Sequence, residues 1–431
     1  MTGGCVEPLG APNKLASATR HRRPAAFAFI FVTIVLDMMA LGMIIPVLPK
    51  LIEDFLGGDT AGAAKVYGVF GTVWALMQFF AMPIMGALSD RYGRRTVILL
   101  SNFGLGLDYV LMALAPNLAW LFVGRVISGI TAASISTGMA YIADVTPVDR
   151  RAASFGKVGV AFGLGFVLGP ALGGLLGSVD PRLPFWAAAG FSLANAMYGL
   201  FVLPESLAPD KRRAFDWRRA NPMGSLKLLR SHPELFGLAT VLFLSTLAHA
   251  VLPATFVLYA GYRYGWDARM VGLMLALIGA ASAIVQGVLV GPSVRRFGER
   301  RVLLAGLCAG SIGFIVYAFA PTGAVFMSGV VVVALWGLAS PAAQGLMTRH
   351  IGPSEQGELQ GANGSILGIA TMIGPTLFAG TFAYFIGEGT RWHVPGAAFL
   401  LAAALLATAA FVAAQVTSRK VVDVVRPVGD T

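Results

Sequence analysis

Runs of about twenty apolar residues recur along this chain, separated by short connections that hold most of its lysines and arginines. A run of that length, coiled as an α-helix, covers the roughly 30 Å hydrocarbon thickness of a bilayer. The backbone polar groups inside lipid must be satisfied within the segment, which leaves helices or closed barrels as the only spanning structures. These runs are too long and too continuously apolar for barrel strands, so they predict helices. Only 12% of the residues are charged, about half the share usual in a soluble domain. The chain therefore reads as an all-α membrane protein.

Twelve transmembrane helices are predicted, near 26–48, 66–87, 96–115, 119–142, 154–177, 183–203, 235–258, 270–292, 302–320, 325–347, 361–385 and 394–416. The first run follows Arg20-His-Arg-Arg23 and continues through Asp37 to Pro46 without a small-residue cleavage site, so it reads as a retained helix rather than a signal peptide. Twenty-five of the 32 Lys and Arg residues fall in the two tails, in the connections after even-numbered helices or, for Lys157, in the first turn of the fifth helix. Six fall on the opposite side, and Arg125 lies inside a helix. The positive-inside bias predicts cytoplasmic termini, and the net charge of +11 reads as topology and anionic lipid rather than nucleic-acid binding. The two cysteines, Cys5 and Cys308, lack metal-ligand spacing and suit no disulfide.

The organisation expected is a cytoplasmic tail over 1–25, a six-helix half over 26–203, a linker over 204–234, a second half over 235–416 and a tail over 417–431. The halves repeat at a fixed offset. Gly86, Arg91, Gly93 and Arg95 recur 205 residues later as Gly291, Arg296, Gly298 and Arg300. Gly156, Gly159, Gly163, Gly169 and Pro170 recur at the same offset as Gly361, Gly364, Gly368, Gly374 and Pro375. Two pseudo-symmetric six-helix units are typical of secondary transporters, with the substrate site between them near the membrane midplane.

Several segments resemble the major facilitator superfamily. Gly86-Ala-Leu-Ser-Asp-Arg-Tyr-Gly-Arg-Arg95 is similar to its loop signature between the second and third helices, and Leu121-Phe-Val-Gly-Arg-Val-Ile-Ser-Gly129 to its fourth-helix motif. Gly165-Phe-Val-Leu-Gly-Pro-Ala-Leu-Gly-Gly174 resembles the fifth-helix signature of its proton antiporters. Leu36-Asp-Met-Met-Ala-Leu-Gly-Met-Ile-Ile-Pro-Val-Leu-Pro49, Leu107-Asp-Tyr109, Phe162-Gly-Leu-Gly165, Pro253-Ala-Thr255, Tyr264-Gly-Trp266 and Ala343-Gln-Gly345 resemble the tetracycline:proton antiporters. The resemblance implies an inner-membrane drug:proton antiporter that exports a small amphipathic compound. Its energy source would be the proton gradient, with no cofactor and no oligomer implied. It further implies tetracycline as substrate, carried as a divalent-metal (Mg2+) chelate. Those antiporters carry an acidic residue in the ninth helix, where this chain has Gly310, so another drug, a sugar or a metabolite remains open as substrate.

An ionised side chain at a helix centre costs about 3 kcal/mol and is by default a functional hypothesis. Asp37, Asp108 and Arg125 are the three such residues here. Asp37 is expected near mid-bilayer as the proton carrier. Asp108 and Arg125 each lie eight residues from the Pro116–Asn117 turn, so they share a depth and form a candidate coupled pair. For all three, a purely structural role is the alternative. Substrate contacts are expected from Gln78, Gln344, Asn102, His249 and Trp336, although polar residues in helices often serve only as interhelical hydrogen-bonders. Gly165, Gly169, Gly173 and Gly174, with Pro170, suggest close helix packing between the halves. In the loop, Asp90, Arg91 and Arg94 are candidate latch residues. Asp90 would reach across the half-to-half interface toward the start of the eleventh helix and Arg94 would bond Asp144, both contacts holding the outward-facing state, with a purely structural loop as the alternative. No catalytic or nucleotide-binding motif supports a membrane enzyme, and no sizeable soluble region supports a receptor.

Overall fold

A computed structural model describes residues 14–132, 134–147, 151–215, 233–351 and 355–418. Most of the expected linker, 216–232, and both chain ends lie outside the described residues. Twelve helical spans are long and apolar enough to cross a membrane. They are Phe29–Phe55, Thr60–Tyr92, Arg94–Leu114, Leu118–Val145, Lys157–Gly177, Leu183–Val202, Leu235–Tyr264, Ala268–Phe297, Glu299–Phe319, Gly323–Thr348, Glu358–Ile386 and Ala397–Val416. Every regular element among the described residues is helical. Below, the side carrying the 86–95 connection is called the loop side, and its opposite the far side.

The helix starts follow local chemistry. On the far side the second, fourth, eighth and tenth spans each begin behind a side chain that accepts from a free N-terminal amide. These caps are Asp59, Asn117, Asp267 and Thr322. On the loop side the third and ninth spans follow Gly93 (φ 100°) and Gly298 (φ 78°), a backbone region open mainly to glycine.

The repeat also governs where spans break. The first span turns at 45–47, and the seventh is interrupted at Ala250, 205 residues after Ile45. The fourth breaks at Ala132, and the tenth passes through a tight 3-10 turn at Trp336–Leu338, which contains the matching position Gly337. Interrupted backbone at membrane depth is tolerated where it is packed in protein or lines a cavity.

The halves meet mainly through two helix pairs. Between the second and eleventh spans, Thr72 donates to the Met372 carbonyl at 2.8 Å, and the Thr72 and Thr376 hydroxyls stand 2.8 Å apart. Gly68 and Gly71 lie directly on Pro375. Between the fifth and eighth spans, a Cβ at Gly174 would come 2.4 Å from the Ala268 carbonyl, and one at Gly272 would come 2.3 Å from the Pro170 carbonyl. All of these contacts fall toward the far side, where Lys50 also lies against Gly261. Toward the loop side the picture reverses: a Cβ at Gly159, Gly163, Gly287, Gly291 or Gly364 would meet nothing within 4 Å. The loop-side end of the eighth span, including Gln286 to Leu289, is exposed. The halves thus enclose a cleft that is closed on the far side and open on the loop side.

The glycines of the fifth span divide differently from the sequence expectation. Gly165, Gly169 and Gly173 pack on Met38, Met39, Gly42 and Met43 of the first span, within the same half. Gly174 and the Pro170 carbonyl, by contrast, meet the other half. The reason is periodicity: residues four apart form one stripe, and positions 170 and 174 lie about 100° further round the helix.

Candidate functional site

Asp37, Asp108 and Arg125 are all buried and belong to one polar cluster in the first six spans. Tyr109, itself fully buried, lies within electrostatic reach of all three. The Asp108 carboxylate lies against Gly124, where a Cβ would come 3.1 Å from Oδ1. Arg125 extends over the Trp74 ring, 5.4 Å from its centroid, a cation–π arrangement that partly replaces lost hydration. Asp108 and Arg125 do not close into a direct pair: both Asp108 oxygens and the Arg125 Nε lack a hydrogen-bond partner among the described residues. Asp37 Oδ1 is likewise buried without a partner. Three ionisable groups with unmet hydrogen-bonding capacity in one apolar bundle can bind and release protons or hold internal water.

The second six spans face the cleft with a different surface. His249, next to the break in the seventh span, is exposed despite its mid-span depth, and its ring stands 5.5 Å from that of Trp336. Trp336 sits in the tight turn of the tenth span and donates through Nε1 to Ser245 Oγ at 3.0 Å. This aromatic wall closes on Gly310 of the ninth span. A Cβ at Gly310 would come 2.8 Å from Trp336 Cγ and 2.7 Å from Leu406 Cδ1.

The remaining candidate substrate contacts do not all reach one place. Gln78 lies mid-span and half-buried, one turn from Trp74 on the same helix face. Gln344 is exposed about two turns nearer the loop side than Trp336 and donates to Ser340 at 3.4 Å. Asn102 is buried inside the first-half bundle, away from the cleft surface, with neither amide atom partnered.

On the loop side, Arg94 makes the bond expected of it, but with the cleft open there rather than closed as the latch expectation required: its Nε stands 3.3 Å from Asp144 Oδ2. Asp90 behaves differently from the expectation. It pairs with Arg94 at 2.7 Å, and its carbonyl accepts from the Arg213 amide at 3.0 Å, so it stays with its own half and the following segment. Arg91 rests over the Tyr92 ring.

Sequence reasoning missed two participants. Glu205, just beyond the sixth span, accepts from the Arg94 amide at 2.9 Å and sits so close to Gly93 that a Cβ there would come 2.2 Å from Oε2. Ser206 joins it by donating to Asp144 at 3.1 Å. The Pro204-Glu-Ser206 stretch was a readable signal, because a carboxylate next to a glycine-led helix start is a ready cap. The second, Asn195, accepts from Thr33 at 3.1 Å beside Asp37, and no sequence pattern joins residues so far apart.

Known proteins share both the sequence and this architecture. The chain matches the Major Facilitator Superfamily over residues 30–375 and again over 238–429. It is 37% identical to the class C tetracycline resistance protein of Escherichia coli over 380 residues, covering 88% of this chain and 94% of that protein. It is 35% identical to the class D tetracycline resistance protein of Salmonella ordonez, covering 89% and 97%. The crystal structure of the nucleoside transporter NupG superposes with a TM-score of 0.73 over 91% of this chain and 98% of that one, at 12% identity. With twelve spans in two repeated halves and relatives matched nearly end to end, this chain belongs to the major facilitator superfamily.

Proposed function

We propose that the protein is a secondary active efflux transporter of a bacterial inner membrane, exchanging a small amphipathic drug for protons by alternating access. The observation that carries this reading is the buried Asp37, Asp108 and Arg125 cluster beside a cleft that opens to one side only. The basic loop side is taken as cytoplasmic, so the structure corresponds to the inward-open state, ready to give up a proton and load substrate. Tetracycline, travelling as its magnesium chelate, is the favoured substrate because of the relatives named above; the metal enters with the substrate and not as a resident group.

Asp37 is the carrier. With the far side open, its carboxylate takes a proton. With the loop side open, that proton leaves to water and the cleft loads drug. Arg125 and Asp108 stand close without pairing, so a small shift of either helix makes or breaks their contact and ties the charge state to helix position. Proton-driven drug uptake into everted membrane vesicles tests the assignment. Asp37→Asn is expected to abolish uptake while leaving expression intact, and full uptake would refute the carrier role.

One observation favours a second substrate reading. Trp336 and Leu406 fill the space at Gly310, so the second half offers aromatic surface where the tetracycline antiporters place an acid. A planar amphipathic drug other than tetracycline fits such a wall. Resistance profiling in a drug-sensitive bacterium separates the two: an unchanged tetracycline threshold with verified membrane expression would select the second.

A further inference from the structure

Asp37 does not face the bundle alone. Thr33 precedes it by one turn on the same helix face and donates through Oγ1 to Asn195 Oδ1 of the sixth span at 3.1 Å, in a fully buried bond. That bond fixes the orientation of the amide. With Oδ1 turned to Thr33, Nδ2 points away from it, and Nδ2 is buried without a partner. Asp37 Oδ1 is also buried and unpartnered, and the Asn195 side chain faces it. An unmet donor and an unmet acceptor therefore stand side by side in an apolar bundle, where each unmet group costs about 1–3 kcal/mol.

We infer that Asn195 is the positioning residue of the proton site, matching its amide to the protonation state of Asp37. When the Asp37 O–H bond breaks and the proton passes to water on the loop side, the carboxylate accepts from Nδ2 while Thr33 donates to Oδ1. When Asp37 holds its proton, the amide turns over: the acid O–H donates to Oδ1, and Nδ2 donates to the Thr33 oxygen. Threonine suits this exchange because a hydroxyl both donates and accepts. Asparagine suits it because its two ends have opposite hydrogen-bonding character in nearly the same shape. The inference rests on Asp37 as proton carrier and adds the residue that makes both of its states tenable in a buried position.

Other buried hydroxyls without a partner among the described residues, Ser101, Thr137 and Ser192, lie in the same bundle, but the interaction with Asp37 is made by Asn195. Among the described residues, the fifth span presents Gly165 and Gly169 to the first, and the fourth presents Tyr141, whose hydroxyl is committed to the Pro204 carbonyl. Tyr109 faces Asp37 from the third span, with Asp108 and Arg125 behind it. From the sixth, Tyr198 packs on Phe29 two turns toward the loop side. Gly106 lies on Leu193 and Leu99 on Gly199, a register that sets the unpartnered Asn102 level with Asn195. The polar interior thus continues from Asp37 into the bundle and away from the drug cleft.

The test is infrared difference spectroscopy of the full-length reconstituted protein during pH titration. The carboxylic-acid band absent from Asp37→Asn identifies the Asp37 proton. Asn195→Leu is expected to shift that band and move its titration midpoint by about one pH unit or more, the equivalent of one lost hydrogen bond to a carboxyl group. Thr33→Val should move it less, and Thr33→Ser should restore it. Asn195→Ala serves if the leucine variant fails to insert. An unmoved band and midpoint in a folded Asn195 variant would overturn the inference. Proton-coupled uptake by Asp37→Asn would instead remove the carrier reading beneath it, so the two failures are distinct.

Discussion

Arg349 stands 3.0 Å from Glu299, and this contact is the duplicate of Arg94 on Asp144 with the charges exchanged. Both pairs obey the 205-residue offset, so duplication conserved the bond and inverted its polarity. The inversion also accounts for Glu205. A helix N-terminus favours negative charge, and the ninth span supplies its own with Glu299 in the first turn. The third span begins instead with Arg94 and Arg95, and Glu205 brings in the missing anion.

The charge reversal Arg349→Glu is therefore expected to destabilise the second half by setting like charges together. The double variant Glu299→Arg/Arg349→Glu should recover most of the loss. Because Arg349 is largely exposed, the coupling is about 1 kcal/mol or less. A double-mutant cycle on detergent-solubilised thermal stability measures it, and additive effects would show the contact to be idle.

Glu205→Ala removes the cap of the third span and should cost about 1–2 kcal/mol, with Glu205→Gln recovering part. Amide hydrogen exchange at Arg94 and Arg95 reports the change directly. Protection should fall there first, while the ninth span, which carries Glu299 in its own first turn, stays unchanged.

At Gly310 the space is already taken. Gly310→Ala drives a methyl into Trp336 and Leu406 and is expected to cost about 1–3 kcal/mol. Combining it with Leu406→Ala should cost less than the sum of the single changes, because the second substitution opens room for the first. Thermal unfolding of the four proteins decides this.

Gly174→Val separates far-side closure from folding. Its added atoms meet the Ala268 backbone, which cannot yield as a side chain would. Spin-label distances between the far-side ends of the fifth and eighth spans should lengthen, with drug transport lost. Gly163→Ala meets open space and should leave both the distances and transport near wild type.

Much of the molecule was legible before any tertiary contact was known. All twelve spans overlap their predicted ranges, and the pairing of Arg94 with Asp144 was anticipated. Span position is set by local chemistry, since a segment of sufficient apolar length partitions into hydrocarbon whatever its neighbours are. The three intramembrane charges stood out for the same reason: each is costly wherever the helix faces.

Apart from the Arg94–Asp144 pair, contacts between helices were not legible, because they depend on rotation, depth and the state of the cleft. Thr33 and Asn195 are 162 residues apart, and their meeting follows from how the first and sixth spans turn toward each other. The filling of Gly310 by Trp336 depends on the tight turn at Trp336–Leu338. Asp90 was expected to reach across the interface, and it pairs instead with Arg94 of its own half. Apolar length and charge placement were enough to set how many helices cross the membrane, where the chain repeats and which side chains are costly to bury. Which of those side chains meet was left to packing, because a helix of given length can present any face to its neighbours, and close packing of side chains selects one.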